Sequence, residues 1–269
     1  MVVYEIKDKS QDSKARLLGF LLYYKESRRF FAEILSSVDS WSAPFLFMDH
    51  VKKRQFSIDS RTTMGFVNQR IVPSERQNLG TVLKENGLKS YDEYRLLKLS
   101  EGRCAQDDIY LKRINATDIL AEIQTRLSLN VLEAVPLSGG RILVFFKDGK
   151  SGIVDVSEMK KMDSAFQRIL TSPEVFKLVK VSPGGHGVEW GEERFVPTSD
   201  LRESMNEIPI SIEDLQAFVN FRVLDTSQLC RLKSYTRQYV NQQVNSGKLT
   251  PFAELGGARL FLKGEIDSK

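Results

Sequence analysis

The apolar stretches of this chain are short, and their length restricts its fold more than any other feature. The longest covers residues 17–24 and is followed by the polar sequence Lys25-Glu26-Ser27. A helix that crosses a membrane needs about 20 mainly apolar residues. Short runs of aromatic and aliphatic residues between turn signals are typical of strands. The sequence therefore predicts an α+β protein that does not enter a membrane.

Turn signals divide the chain into three segments and one linker. The first, residues 1–115, is predicted to be a small barrel with added helices. Residues 116–129 have the apolar spacing of a connecting helix. The second segment, residues 130–204, is predicted to be a small α+β domain. The third, residues 205–269, contains short helices followed by a pair of strand-like runs.

In the first segment, strands are expected at 17–24 and 30–35, because both runs are rich in aromatic and aliphatic residues. A helix from Ser13 is the alternative, since the period of the apolar residues alone does not exclude it. A helix is expected to begin at Ser74, because Pro73 keeps the residue before it extended. Another helix is expected to begin at Ser90, where Ser-x-x-Glu matches a capping box.

The second segment alternates strand-like and helix-like runs. The expected elements are strands at 131–136, 141–146 and 152–156, helices at 163–170 and 173–179, and a hairpin of residues 188–190 and 194–196. Asp148-Gly149 suits a tight turn, since glycine accepts a positive φ. His186 is expected at an exposed hairpin tip, and Trp190 is expected in the core.

Nearly all of the excess positive charge lies near the C-terminal end. Residues 226–263 contain six basic side chains and one acidic side chain, Glu254, so this window carries +5. The formal net charge of the whole chain is +4, and the other residues therefore carry −1. A local basic excess is typical of a surface that binds phosphate groups. A solvated basic face is the alternative, and charge alone does not decide between the two.

The order of elements around this window indicates a winged helix-turn-helix over residues 205–269. The expected elements are helices from Ser211 and Asp225, the turn Lys233-Ser234-Tyr235, a helix at 236–246, Gly247 as its stop, and wing strands at 249–252 and 258–263. In this fold the helix after the turn lies in the major groove of DNA.

The helix at 236–246 has a polar face suited to base reading and an apolar face expected to be buried, formed by Tyr239, Val240 and Val244. Arginine pairs with guanine, and asparagine or glutamine with adenine. The predicted base-reading residues are Thr236, Arg237, Gln238, Asn241 and Gln242. Flanking cations are predicted to contact phosphates, which position a protein on DNA: Lys233, Lys248, Arg259 and Lys263. An ordinary polar helix is the alternative, but it does not explain why the charge falls on the same elements.

Residues 236–249, Thr-Arg-Gln-Tyr-Val-Asn-Gln-Gln-Val-Asn-Ser-Gly-Lys-Leu, resemble the core of excisionase-type and MerR-like helix-turn-helix domains. In those domains Ser/Thr-Arg-Gln-x-Val opens the recognition helix, and Gly-Lys-Leu leads into the wing. Residues 259–266 are similar to the strand and final turn that close such wings. The resemblance implies DNA binding. Where such domains often have glycine in the turn, this chain has Ser234, which would have to adopt a positive φ.

The second segment resembles the domain-of-unknown-function family 2442 through Phe145-Phe146-Lys147-Asp148-Gly149, Gly152-Ile153-Val154-Asp155, Phe166, Pro173-Glu174-Val175-Phe176 and Val188-Glu189-Trp190. Members of that family are small α+β domains of unknown activity, some with a helix-turn-helix and some similar to antitoxins. The resemblance implies a bacterial or phage regulator. The first segment is similar to the short N-terminal barrel of HipA-type toxin kinases, in its strands, in residues 70–78 and in the Asp-rich residues 102–108.

Cys104, Asp107 and Asp108 are the candidate residues of an enzyme alternative, with the thiol as nucleophile or the carboxylates as cation ligands. A reactive thiolate needs a nearby base or a positive field. Arg103 is adjacent, but no histidine is near in sequence. Neighbouring side chains on a strand face opposite ways, so the two carboxylates would not converge outside a turn. We therefore predict that the chain has no catalytic residues and is not an enzyme.

Arg70, Arg76, Gln77 and Asn78 form a polar cluster at an expected helix start. Helix N-termini attract anions, so the cluster is a candidate site for a phosphate or a partner peptide. An internal hydrogen-bond network is the alternative, and the sequence favours it. No metal or cofactor is expected, because the two histidines stand alone, neither cysteine has a Cys or His within four residues, and no Gly-rich phosphate loop is present.

The expected partners are double-stranded DNA and a second copy of the chain. A homodimer is expected because one recognition helix reads only a few base pairs. The upstream segments are expected to form it, since the third segment has little apolar surface to spare. The alternative is an antitoxin-like module whose basic C-terminal segment binds an acidic protein such as a toxin. The unpaired Cys104 and Cys230 and the absence of an apolar leader fit a cytoplasmic location.

Overall fold

The computed structural model describes residues 1–9, 15–159, 164–191 and 194–267. It is a mixed α+β structure with several small antiparallel sheets, which confirms the predicted fold class at this level. The chain divides into two units. Unit 1 contains Met1–Asp148 and Gly152–Glu207, and unit 2 contains Gly149–Ser151 and Ile208–Lys269. The first two predicted segments thus both lie in unit 1, except for residues 149–151.

The N-terminal half of unit 1 is a sheet with the strand order β4-β3-β2-β1-β5, accompanied by short helices. Its strands are β1 (Val2–Asp8), β2 (Arg16–Tyr24), β3 (Arg29–Ile34), β4 (Ser57–Ile58) and β5 (Ile109–Ile114). Its helices are α1 (Met48–Lys52), α2 (Ser60–Asn68), α3 (Leu79–Glu85), α4 (Glu93–Ser100) and α5 (Ala121–Ser128). The strands predicted at 17–24 and 30–35 match β2 and β3 to within one residue.

The other half of unit 1 contains two smaller sheets, ordered β12-β8-β7-β6 and β11-β10-β9. The strands are β6 (Val131–Pro136), β7 (Arg141–Phe146), β8 (Ser151–Asp155), β9 (Lys180–Val181), β10 (Gly187–Trp190), β11 (Arg194–Pro197) and β12 (Met205–Glu207). The helices are α6 (Ser164–Thr171), α7 (Pro173–Phe176) and α8 (Thr198–Ser204). The predicted strands and hairpin are confirmed, and residue 163, the expected start of α6, lies outside the described residues.

Unit 1 is stabilised by two apolar clusters. The first lies against the N-terminal sheet and contains phenylalanine side chains that are at most 1% exposed, among them Phe20, Phe31 and Phe66. The second includes Phe146 and Trp190. The indole N–H of Trp190 donates to the Phe176 carbonyl oxygen at 2.9 Å. This satisfies the polar atom of a buried ring and confirms the prediction that Trp190 lies in the core.

Close approach of β2 to β3 depends on Gly19. A Cβ atom at this position would lie 2.3 Å from the carbonyl oxygen of Glu33. Any larger residue would therefore force the strands apart at the point where β3 carries Glu33.

Unit 2 combines short helices with a sheet ordered β13-β15-β14. The elements are α9 (Ile212–Arg222), β13 (Val223–Asp225), α10 (Thr226–Lys233), α11 (Arg237–Asn245), β14 (Ala253–Leu255), β15 (Ala258–Leu262) and α12 (Lys263–Asp267). Its buried core consists of Leu229, Val240, Phe261 and Ile266. Helices α9 and α10 start after Ser211 and Asp225, as predicted, and each of these residues forms a capping box.

Residues Gly149–Ser151 belong to unit 2 although they are distant from it in sequence. The Ser151 hydroxyl donates to the carbonyl oxygens of Ile208 (2.9 Å) and Ile210 (2.5 Å). The backbone N–H of Ile208 donates to the Ser151 carbonyl oxygen at 3.0 Å. The beginning of unit 2 is therefore hydrogen-bonded to a residue far upstream.

Two helix starts predicted in the first segment are wrong. Helix α3 begins at Leu79 rather than Ser74, and turns occupy most of the residues between. Helix α4 begins after Asp92 rather than Ser90, because the Asp92 carboxylate accepts the capping hydrogen bond from the Arg95 backbone N–H at 2.8 Å. Local sequence offered two residues able to cap this helix, and the later one does so.

The wing strands also differ from the prediction. Strand β14 lies at Ala253–Leu255 instead of 249–252. Pro251 interrupts the predicted strand, since proline has no N–H to donate to a neighbouring strand. Pairing begins at Phe252, whose N–H donates to the Leu260 carbonyl oxygen at 2.8 Å.

Ser234 adopts the left-handed conformation that the sequence required of it, with φ 56° and ψ 35°. Because this conformation is strained for residues with a Cβ, we expect Ser234→Gly to stabilise unit 2 by about 1 kcal/mol. Ser246→Gly is the matched control, because Ser246 has φ −85° and glycine there only adds flexibility to the unfolded chain. Thermal unfolding of both variants checks this, and stabilisation by Ser246→Gly instead would contradict it.

In the described part of the chain, none of the helices has both the length and the apolar character needed to cross a membrane.

Candidate functional site

Helix α11 carries the predicted base-reading residues. Thr236 is its N-cap, and the Thr236 hydroxyl accepts a hydrogen bond from the Tyr239 backbone N–H at 3.1 Å. Val240 is fully buried and attaches the helix to the core of unit 2. The other four predicted residues are exposed: Arg237, Gln238, Asn241 and Gln242. Their polar groups are therefore accessible along one short helix.

Two of these side chains already have hydrogen-bond partners. The Arg237 guanidinium donates to the Ser227 hydroxyl on α10 at 2.9 Å. The Asn241 side-chain oxygen accepts from Arg259 Nη1 at 3.0 Å. Arg259 was predicted as a phosphate ligand, so this hydrogen bond joins a predicted base-reading residue to a predicted phosphate ligand. Asn241 would have to exchange this hydrogen bond in order to pair with adenine.

Tyr239 was expected on the buried face of this helix, and that expectation is wrong. Its side chain is 41% exposed. The Tyr239 ring packs edge to face against Tyr235, with 4.7 Å between ring centroids. Tyr239 and Val240 are consecutive and therefore about 100° apart around the helix, and the apolar core of unit 2 contains Val240 but not Tyr239.

The four predicted phosphate ligands lie on the elements around α11. Lys233 ends α10, Lys248 follows α11, and Lys263 begins α12. Arg259 lies on β15, and its Nε atom is 3.2 Å from a carboxylate oxygen of Glu254. This pair partly neutralises Arg259, so its contribution to a positive surface is smaller than the sequence indicated.

The predicted anion cluster is divided. The Arg70 side chain is fully buried, with its guanidinium carbon 3.6 Å from the centroid of the Phe66 ring and an ion pair to Asp107. Arg70 also donates to the Phe66 carbonyl oxygen at 3.1 Å. The other members are exposed, and Arg76 donates to the Asn78 side-chain oxygen at 2.7 Å. The prediction that Arg70 binds an anion is wrong. Its side chain belongs instead to an internal hydrogen-bond network, which was the alternative interpretation.

The residues of the enzyme alternative have structural contacts. The Cys104 thiol lies 3.4 Å from an Asp107 carboxylate oxygen, which also accepts from the Ile109 backbone N–H at 3.1 Å. The carbonyl oxygen of Asp108 accepts from the Lys9 backbone N–H at 3.2 Å. These contacts support a loop tied to the sheet. In the described part of the chain, no three His, Cys, Asp or Glu side chains are arranged to hold a metal ion.

A buried carboxylate that the sequence analysis missed lies in unit 1. Glu33 on β3 is 1% exposed and accepts hydrogen bonds from Arg126 Nη1 and the Ser57 hydroxyl, both at 2.8 Å. The Nδ1 atom of His186 is 3.5 Å from the other carboxylate oxygen. The Nε2 atom of His186 is 2.9 Å from the Tyr24 hydroxyl. The only feature of the sequence that indicates this buried carboxylate is a glutamate within the apolar strand Arg-Phe-Phe-Ala-Glu-Ile.

His186 is therefore not the exposed hairpin tip that was expected. It is 6% exposed, and its ring stacks on Phe31 with 4.2 Å between centroids. A second ion pair lies nearby, between Arg29 and the buried Glu189 at 2.5 Å. His186 is buried because unit 1 combines the first and second predicted segments, which were expected to be separate domains.

Burial determines the protonation of this network. It raises the pKa of Glu33 to about 7, although the Arg126 guanidinium and the Ser57 hydroxyl act in the opposite direction. Burial also lowers the pKa of His186 to about 3, with smaller contributions from the charges of Lys147 and Arg29. At neutral pH His186 is therefore an uncharged hydrogen-bonding group.

Comparison of this chain with models of known protein families, with curated proteins and with solved structures finds no match.

Proposed function

We propose that unit 2 is a winged helix-turn-helix that binds double-stranded DNA sequence-specifically, in a regulator of bacterial or phage type. The observation that carries this proposal is the exposed set Arg237, Gln238, Asn241 and Gln242 on a helix that buries Val240. These side chains are the ones that pair with purine edges in the major groove. The +5 charge of residues 226–263 also supports DNA binding by this surface.

The proposed mode of binding follows from the order of elements. Helix α10, the tight turn at Ser234 and helix α11 form the helix-turn-helix, and β14 with β15 forms the wing. In such domains the N-terminal residues of the second helix contact base edges. Arg237 and Gln238 occupy those positions. The flanking cations would then contact the phosphates on either side of the groove.

Selection of duplexes from a randomised library, using the full chain, tests this proposal. We expect saturable binding without any protein partner and a preference of about a thousandfold for the selected duplex over a scrambled one. The antitoxin-like alternative predicts binding to an acidic polypeptide such as polyglutamate and no preference among duplexes. That result would contradict sequence-specific DNA binding.

Arg237→Ala should cost about 1–3 kcal/mol of binding free energy at one base pair of the selected duplex. The loss arises because alanine cannot make the bidentate pair with a guanine edge. Titrations of the variant against the selected duplex and against single-base-pair substitutions of it would locate the affected position. Equal weakening on every duplex would mean that this side chain does not read bases.

Ser227→Ala is the matched control for this substitution. It removes the hydrogen bond that Arg237 makes at 2.9 Å but keeps the guanidinium group. We expect it to retain the base preference. If it lost the preference as fully as Arg237→Ala, the role of Arg237 would be to position α11 rather than to contact DNA.

A homodimer remains part of the proposal, because one recognition helix reads only a few base pairs. The dimer contact was placed in the upstream segments because the third segment was expected to have little exposed apolar surface, and this expectation is wrong. Helix α9 exposes large apolar side chains, including Phe218 (45%), Val219 (54%) and Phe221 (72%). Unit 2 therefore does have apolar surface to spare.

Sedimentation of the full chain at micromolar concentration should give twice the monomer mass. Phe221→Asp should reduce self-association if α9 forms the contact and leave it unchanged if unit 1 does. A monomer both with and without the selected duplex would contradict the dimer.

A further inference from the structure

Unit 1 contains a cavity of about 570 Å³ that the proposed DNA-binding function does not use. Its walls come from β3 and β4, the start of α2, the end of α5, and the region of β11 and α8. Small-molecule sites in proteins have volumes of about 300–1,000 Å³ and combine apolar walls with a few fixed polar groups. The size of this cavity fits one small organic molecule.

Two arginines in the wall are fixed from behind by buried carboxylates. Arg126 Nη1 donates to Glu33 at 2.8 Å, and Arg29 Nη1 donates to Glu189 at 2.5 Å. Glu33 and Glu189 are 1% and 5% exposed. Glu33 also accepts from the Ser57 hydroxyl, a further group that lines the cavity. The polar wall is thus held in position without a ligand, as preorganised binding sites are.

Arg29 and Arg126 are each hydrogen-bonded to a carboxyl group, whereas Arg54 is not. Arg54 lines the cavity, is exposed and has φ 56°. Among the residues that the structure describes, its guanidinium has no carboxylate partner. Arg54 therefore brings to the cavity a guanidinium without a carboxylate partner of its own among the described residues.

The rest of the wall is largely apolar and aromatic. Phe31, Phe56 and Ile58 come from the N-terminal sheet and its surroundings, and Val156, Phe166 and Phe195 come from the second half of the unit. A ligand with only charged groups would leave these surfaces without contacts. A ligand with only apolar groups would leave Arg54 unpaired.

We propose that this cavity binds a small organic monoanion, a carboxylate carried on an apolar or aromatic body, with Arg54 as its charge partner. The Arg54 guanidinium, which has no carboxylate partner among the described residues, matches one ligand carboxylate in the fork geometry that arginine and carboxylate share. The carboxylates of Asp59 and Asp200 also line the cavity and would repel a phosphate dianion more strongly than a monoanion. The apolar body of the ligand would contact the phenylalanine rings, and the Ser57 hydroxyl would contribute polar contacts.

Calorimetric titration of the full chain with naphthalene-2-carboxylate, naphthalene-2-carboxamide and acetate tests the proposal without DNA, so its outcome is independent of the proposed function. We expect the carboxylate to bind about tenfold or more tightly than the uncharged carboxamide, because a charge-assisted pair is lost in the amide. Acetate should bind weakly, because it lacks the apolar body. No binding of the naphthalene carboxylate at millimolar concentration would overturn the proposal, as would equal binding of the amide.

Arg54→Gln should weaken binding of the carboxylate about tenfold and leave binding of the carboxamide unchanged. Arg28→Gln is the matched control, because Arg28 is also an exposed arginine with a positive φ (55°) but does not line the cavity. It should leave both ligands unaffected. Equal effects of the two substitutions would overturn the role of Arg54, and tighter binding of phenyl phosphate than of benzoate would overturn the choice of a monoanion.

Discussion

Raising the salt concentration from 50 to 200 mM should weaken binding of this protein to its selected duplex by about a hundredfold. The reason is that Lys233, Lys248, Arg259 and Lys263 would each release a counterion from the DNA. Four contacts give a slope of about −3.6 in a plot of the logarithm of the binding constant against that of the salt concentration. Titrations at several salt concentrations measure the slope directly.

Lys263→Ala should weaken binding to all duplexes equally and reduce the size of the slope by about one. Lys98→Ala, at an exposed position on α4 in unit 1, is the control and should leave the slope unchanged. Because Arg259 is 3.2 Å from Glu254, its loss should change the slope less than the loss of Lys263. A slope near zero for the unchanged chain would exclude phosphate contacts by this surface.

The stability of Glu33→Gln relative to the unchanged protein should increase by about 3 kcal/mol between pH 4.5 and pH 7. The pKa of Glu33 is raised from its ordinary value of 4.5 to about 7 in the folded protein. Between these values the folded state binds a proton that the unfolded state has released. The free energy of unfolding therefore falls as the pH rises through this window, and glutamine removes that loss.

Urea unfolding followed by the fluorescence of the buried Trp190 measures this effect at a series of pH values. His186→Asn provides a control of opposite sign. The pKa of His186 is lowered from 6.5 to about 3, so its contribution to stability increases as the pH rises between those values. A constant difference between Glu33→Gln and the unchanged protein from pH 4.5 to 7 would mean that Glu33 is ionised throughout.

Local patterns were sufficient to predict much of the fold. The strands at Val131–Pro136 and Arg141–Phe146 were predicted to the residue, because apolar runs are bounded there by glycine-containing turns. The left-handed Ser234 was expected from the resemblance to helix-turn-helix domains, which often have glycine at this place in the turn. The helix starts at Ser74 and Ser90 failed, since several nearby residues could begin each helix and tertiary packing selects among them.

The network around Glu33 could not be predicted in this way. Tyr24 and His186 are 162 positions apart, and Arg29 and Glu189 are 160 apart. Contacts at such separations leave no periodic signal in one sequence. The cavity has the same origin, since its walls come from segments that were assigned to different domains. Periodicity also gave the faces of α11 but not which of its apolar residues, such as Tyr239, would be covered.

Unit 2 cannot be isolated with a single cut of the chain. A fragment that starts at residue 205 or 208 lacks Ser151, and the carbonyl oxygens of Ile208 and Ile210 and the N–H of Ile208 then lose their partners. Because a lost hydrogen bond costs about 0.5–1.5 kcal/mol, such a fragment would begin with a frayed segment just before α9. Weak DNA binding by a truncated protein would therefore report damage at the cut rather than the properties of α11.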